Sequence, residues 1–171
     1  MPNPMSSTKP RPAAAPAPQP APYPATLIRR LNQIAVAQFT TAMARAGIDL
    51  TPVQFCALEA LARQPGVDQA TLAALIGYDR ATLGKVVERL ELKQLVRREV
   101  RAEDRRARSL ELTETGITLL AEASPRVEAM QPDILAGLSQ SERRDLVRLL
   151  TKVTLAAEDN EHDAPPMARL A

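Results

Sequence analysis

Between Asp68 and Lys93 two short amphipathic stretches are separated by little more than Gly77-Tyr78. Asp68 is placed to cap a helix over residues 69–76, with Leu72, Leu75 and Ile76 facing inward. Asp79 caps a second helix over residues 80–93, with Leu83, Val86, Val87 and Leu90 inward. Two helices joined by a turn this short, with glycine in it, form the helix-turn-helix pattern. Few other arrangements bury both stripes at once.

The flanking segments extend this unit. A helix over residues 26–46 carries Leu27, Leu31, Ile34, Phe39 and Met43 at helical spacing, and Gly47 can take the left-handed position after it. Thr51 and Gln54 form a capping box with Pro52 at the first helical position, and Phe55, Leu58 and Leu61 give the next stripe. After Leu92 the pattern changes to LVRREV and RSLELT, which read as a hairpin with a charged tip at 101–108. Thr113 caps a helix over residues 114–137 that Pro125 is expected to kink. Ser139 and Glu142 form a second capping box for a last helix over residues 140–157, striped by Leu146, Leu149, Leu150 and Val153. The expected fold is mainly α with a small β-hairpin wing. It is a winged helix-turn-helix with N- and C-terminal helices as a dimerisation region.

Residues 1–24 hold nine prolines and read as a disordered Pro/Ala-rich tail. Residues 25–157 form the folded domain, with a DNA-binding lobe at about 50–113 and dimerisation helices at about 26–46 and 114–157. Residues 158–171 read as a flexible tail. A chain of 171 residues is about one domain. With two Tyr, two Phe and no Trp, its core must be aliphatic. No apolar run is long enough to span a membrane, and the N-terminus lacks the apolar stretch of a secretory signal. The bacterial cytoplasm is the expected location.

Charge is segregated. Residues 79–108 carry ten Lys or Arg against six Asp or Glu, and residues 109–163 carry five against eleven. A basic centre beside an acidic flank points to one localised polyanion contact. On the second short helix, Arg80, Thr82, Lys85 and Arg89 lie outside the aliphatic stripe. A helix with small and polar residues in its first half fits the major groove of duplex DNA, where base edges are distinguishable. The hairpin tip holds Arg105, Arg106 and Arg108, suited to the negative potential of a narrow minor groove. Asp104 among them is suited to orienting an arginine through charge-assisted hydrogen bonds.

These stretches, LTPVQF, DRATLGKVVERLE and DRRARSLELTETG, resemble the MarR family of bacterial regulators. The likeness spans residues 27–153. The spacing of Asp104, Arg106, Leu112-Thr113 and Gly116 is similar to the family's wing signature. The resemblance implies that Arg106 enters the minor groove with Asp104 orienting it, and that Thr82 and Lys85 reach the major groove. It also implies interleaved terminal helices in a homodimer, and release from DNA by a small aromatic carboxylate. Arg29 and Asn32 on the first helix would meet that ligand. Two positions depart from the pattern: Gly84 stands where relatives often carry Ser or Thr, and Gln94 where Gly commonly ends the recognition helix.

The apolar stripes on the first and last helices have no partner left within one chain, which points to a homodimer independently of the resemblance. Cys56, the one cysteine, lies among Phe55, Ala57 and Leu58 and is expected in the core. His162, the one histidine, sits among acidic residues near the C-terminus, and no metal site is expected there. Without a phosphate loop, metal-ligand spacing or a histidine in the folded region, no catalytic residues and no cofactor are expected, and the chain is not read as an enzyme. Two readings stand beside DNA regulation by a ligand. One is a redox-responsive regulator acting through Cys56. The other is a winged-helix protein-interaction module that reads no DNA, against which the basic recognition face argues. Dimerisation segments of methyltransferases share such a fold, but no room remains here for a catalytic domain.

Overall fold

The computed structural model describes residues 23–100 and 108–163. The elements run α1 (Pro24–Ala46), α2 (Pro52–Arg63), α3 (Gln69–Leu75), α4 (Arg80–Leu92), β1 (Val96–Val100), β2 (Arg108–Leu112), α5 (Glu114–Ile134) and α6 (Gln140–Asp163). The architecture is the expected winged helix-turn-helix flanked by long helices.

Local chemistry starts each helix where the sequence places it. The Thr51 hydroxyl accepts from Gln54 N at 3.3 Å, while Gln54 Oε1 accepts from Thr51 N at 3.1 Å. Asp68, Asp79 and Thr113 accept from the backbone N–H three residues on. Ser139 and Glu142 exchange bonds in the same way, with Glu142 Oε2 2.8 Å from Ser139 N. Each cap satisfies donors that the first helical turn leaves orphaned.

The core joins α1 through α5 and the wing. Leu58, Leu72, Leu83, Val87, Leu90 and Leu110 are fully buried. Each contributes about 1.5–3 kcal/mol by leaving water. Two aromatics join this aliphatic interior, Phe39 and Phe55, with tilted rings whose centroids are 5.8 Å apart.

The wing is an antiparallel pair with Val96 opposite Leu112 and Val100 opposite Arg108. It has a brace that the sequence did not announce. Val67, in the loop before α3, bridges to Leu110, whose N–H donates to Val67 O at 2.8 Å, while Gly66 N donates to Leu110 O at 3.0 Å. The hairpin is thereby stitched to the helix-turn-helix. Its tip, including Asp104, Arg105 and Arg106, lies outside the described residues.

Several expectations are corrected. Leu75 is 44 % exposed rather than inward. The buried arc of α3 is set by Leu72 and Ala73, with Ile76 half-buried between them; at 100° per residue Leu75 falls outside it. Helix α5 passes through Pro125 as one element, as expected, and also past Pro132, but it ends at Ile134 rather than at Gly137. Around Pro125, the Ser124 hydroxyl donates to Leu120 O at 2.8 Å and the Arg126 guanidinium donates to Glu122 O. Pro125 and the carbonyl-bearing Ala121 are exposed, so water can serve the acceptor the proline abandons. Helix α6 continues to Asp163, six residues beyond the expected end, and so takes in His162. Helix α1 starts two residues early because Pro24 occupies a first-turn position that needs no N–H.

Helix α6 makes no extensive packing contact with the rest of the chain, and none of its side chains from Gln140 to Ala156 is buried. Val147, Leu149, Val153 and Leu155 are exposed along it; Leu27, Ile28, Ile34 and Val36 are exposed on α1. No helix among the described residues is long and apolar enough to cross a membrane.

Candidate nucleic-acid interface

The turn between α3 and α4 is closed by Gly77, at φ +65°, and by Tyr78 N donating to Ala73 O at 2.9 Å. Asp79 then opens α4. Its Oδ1 accepts from Thr82 N at 2.8 Å, and the Thr82 hydroxyl and backbone together hold the Asp79 carboxyl below its usual range. Asp68 is lowered likewise, by Thr71. The carboxylates fix where α3 and α4 begin.

Leu83, Val86, Val87 and Leu90 anchor one side of α4. Thr82, Lys85 and Arg89 are exposed together on another side. Arg80 is exposed too, but at 100° per residue it falls on the opposite flank from those three. There it shares a cleft of about 270 Å³ with Asp68, Gln69, Arg98 and Arg108. Arg80, expected on one face with Lys85, instead lies beside Arg108 at the start of β2.

Basic side chains fall into two groups. Lys93, Arg97 and Arg98 are engaged. Lys93 Nζ lies 2.7 Å from Asp49 Oδ2, Arg97 lies 2.9 Å from Glu111 and 3.1 Å from Glu99, and Arg98 lies 3.2 Å from Glu91. Glu111, then Glu99, raise the Arg97 pKa further. Arg80, Lys85, Arg89 and Arg108 are exposed and form no ion pair among the described residues. The first group holds the wing and the C-terminal end of α4; in the second, Arg80 acts electrostatically on Asp68, while Lys85, Arg89 and Arg108 offer their positive charge to solvent.

Arg29 and Asn32 are exposed on α1, away from any ion pair among the described residues. Cys56 is not the core residue expected. It is exposed on α2, between buried Phe55 and Ala57. Partial burial of its sulfur nonetheless raises its pKa, and Glu59 raises it further, which disfavours the reactive thiolate. Among the described residues no group of three metal-ligating side chains occurs.

A family model, that of the MarR family, matches residues 48–107, from just after α1 through β1 and up to the start of β2. The transcriptional regulator HosA of Escherichia coli O157:H7 is 36 % identical over 105 residues, covering 61 % of this chain and 78 % of that protein. The chain belongs to the MarR family. Among solved structures, the PcaV transcriptional regulator of Streptomyces coelicolor, in complex with its natural ligand, superposes with a TM-score of 0.73 at 30 % identity. That match covers 84 % of this chain and 99 % of PcaV. BpsR of Bordetella bronchiseptica, whose DNA binding is regulated by 6-hydroxynicotinic acid, gives a TM-score of 0.70 at 32 % identity, covering 76 % and 97 %. This MarR protein is thus a transcriptional regulator, and its relatives are regulators rather than enzymes. Gln69, Glu91 and Arg98 join the neighbourhood of its candidate interface without having been singled out from sequence. Their only signal is a polar residue at the edge of an apolar stripe, which many solvated positions share.

Proposed function

We propose that this MarR protein is a repressor that binds a pseudo-palindromic operator as a homodimer and is released by a small aromatic carboxylate. The observation that carries DNA recognition is the set of exposed, unpaired cations on α4 and at the wing, beside wing and helix-end cations that are already neutralised. Thr82, Lys85 and Arg89 would face the major groove. Arg80 and Arg108 would flank it, and Arg105 and Arg106, with Asp104 orienting them, would reach the adjacent minor groove. Residues 50–113 would form the DNA-binding lobe. Residues 26–46 and 114–157 would dimerise, because α1 and α6 expose apolar stripes that one chain leaves uncovered. Two half-sites would then lie roughly one helical turn apart. Such a regulator would work in the bacterial cytoplasm.

The test is selection from random duplexes with the full chain. A palindromic consensus is expected. Lys85→Ala and Arg106→Ala should each lower affinity about tenfold, within the range of one specific contact. Affinity should fall steeply with salt as counterions are released. Recovery of no consensus would leave a module that binds protein instead.

Ligand control is supported by BpsR and PcaV, and Arg29 on α1 is the proposed carboxylate partner, with Asn32 beside it. A ligand acts only through different affinity for the DNA-competent and incompetent dimers. Operator release should follow an aromatic or pyridine carboxylate, survive Cys56→Ser, and weaken in Arg29→Ala. Release by peroxide alone, abolished in Cys56→Ser, would assign control to the exposed thiol.

A further inference from the structure

Three polar side chains from three elements meet at the root of the wing. Arg98 on β1 places Nε 3.2 Å from Glu91 Oε2, in the last turn of α4. Its terminal nitrogen lies 3.5 Å from Gln69 Oε1 on α3. Gln69 Nε2 is in turn 3.5 Å from the carbonyl of Arg80, in the first turn of α4. The recognition helix is therefore gripped near both ends by a chain of contacts that runs through one wing residue. The Arg98 and Glu91 side chains are 28 % and 30 % exposed, so water screens this pair less than it does the fully exposed ones.

Gly84 makes the arrangement fit. A Cβ there would stand 3.2 Å from Gln69 Nε2. Helix α4 thus carries its one glycine where the Gln69 amide lies over it. The neighbouring Arg97 supplies a contrast. Its partners Glu99 and Glu111 both belong to the hairpin, so it stiffens the wing without tying it to α4.

We propose that Arg98, held by Glu91 and Gln69, is a positioning residue that fixes the angle between the recognition helix and the wing. It thereby decides whether the wing reaches the flanking minor groove while α4 sits in the major groove. This rests on the DNA reading given above. Binding energy from two grooves adds only when both elements are held in register before contact; otherwise ordering the second costs what its contact returns.

The full-length protein is measured against its selected operator and against the same duplex with G/C-rich flanks, alongside a thermal melt. The parent should prefer A/T-rich flanks, whose minor groove is narrow. Arg98→Met should abolish that preference, a loss of roughly tenfold on the A/T-flanked duplex only. Arg97→Met should keep it. The double exchange Glu91→Arg with Arg98→Glu should restore part of it. An equal loss on both duplexes with a lowered melting temperature would mark a merely structural ion pair and overturn the aiming role. So would an Arg98→Met protein with the parent's flank preference. A parent that selects no duplex would overturn the DNA reading itself, and the aiming role with it.

Discussion

A Cβ placed on Gly116 would overlap the Leu95 carbonyl oxygen and stand 3.0 Å from its carbon. Both are backbone atoms, so no rotamer change relieves the clash. The first turn of α5 is pressed there by two bonds, Thr113 N to Leu95 O at 3.1 Å and the Thr113 hydroxyl to Gln94 O at 2.6 Å. Gly116→Ala should therefore cost on the order of 3 kcal/mol in urea unfolding, as an overpacked contact that must move main chain. Gln94 gives the opposite sign. It is the one non-glycine residue with positive φ among the described residues, at +57°, where L side chains are strained. Gln94→Gly should raise stability by up to about 1 kcal/mol after glycine's greater unfolded-state entropy is counted. An unchanged or lowered urea midpoint would show that the Gln94 side chain contributes more than its strain costs. The turn is kept although no glycine occupies this left-handed position, so the backbone demand outweighs the residue's preference.

Elements whose signals are local were legible in the sequence. The caps at Thr51, Asp68, Asp79, Thr113 and Ser139 all form, because each is decided within four residues. What escaped is non-local. The Val67 bridge to Leu110 and the link from Gln69 to Arg98 join positions 43 and 29 residues apart, and no short pattern announces either. The local caps also predict a pH response. Asp68, Asp79 and Glu142 all have folded-state pKa values below their ordinary ones, each through hydrogen bonds from the residues they cap or face. Stability from a depressed carboxylate is fully present above its unfolded pKa and is lost as pH falls through the lower, folded one. The caps should therefore hold at neutral pH and fail only as acid passes below the ordinary carboxylate range of about 4. Asp79→Asn keeps a capping oxygen but does not titrate there. Its unfolding midpoint should fall less than the parent's between neutral pH and that acid range. Parallel curves would remove Asp79 from the acid response.

At the scale of the whole molecule, none of the α6 side chains from Gln140 to Ala156 is buried, and the first half of α1 leaves Leu27, Ile28, Ile34 and Val36 exposed. A lone helix in water is marginal even when its sequence favours it, since most helical stability comes from packing an apolar face. In the proposed dimer the missing packing comes from a second copy, so folding of these segments becomes second order in protein. The melting temperature should rise with concentration, as it does whenever association binds only the folded form. Trypsin supplies a local readout, because α6 carries Arg143, Arg144, Arg148 and Lys152. Cleavage there should be fast in nanomolar solution and suppressed in micromolar solution; equal rates would argue for a self-sufficient monomer. In a cell, an uncovered last helix is a census of its own kind. Chains made too sparsely to meet a partner stay open to proteases and disappear, while those above the pairing threshold persist. Abundance would then rise more steeply than synthesis, because pairing grows with the square of the monomer concentration and the last helix is covered only in the pair.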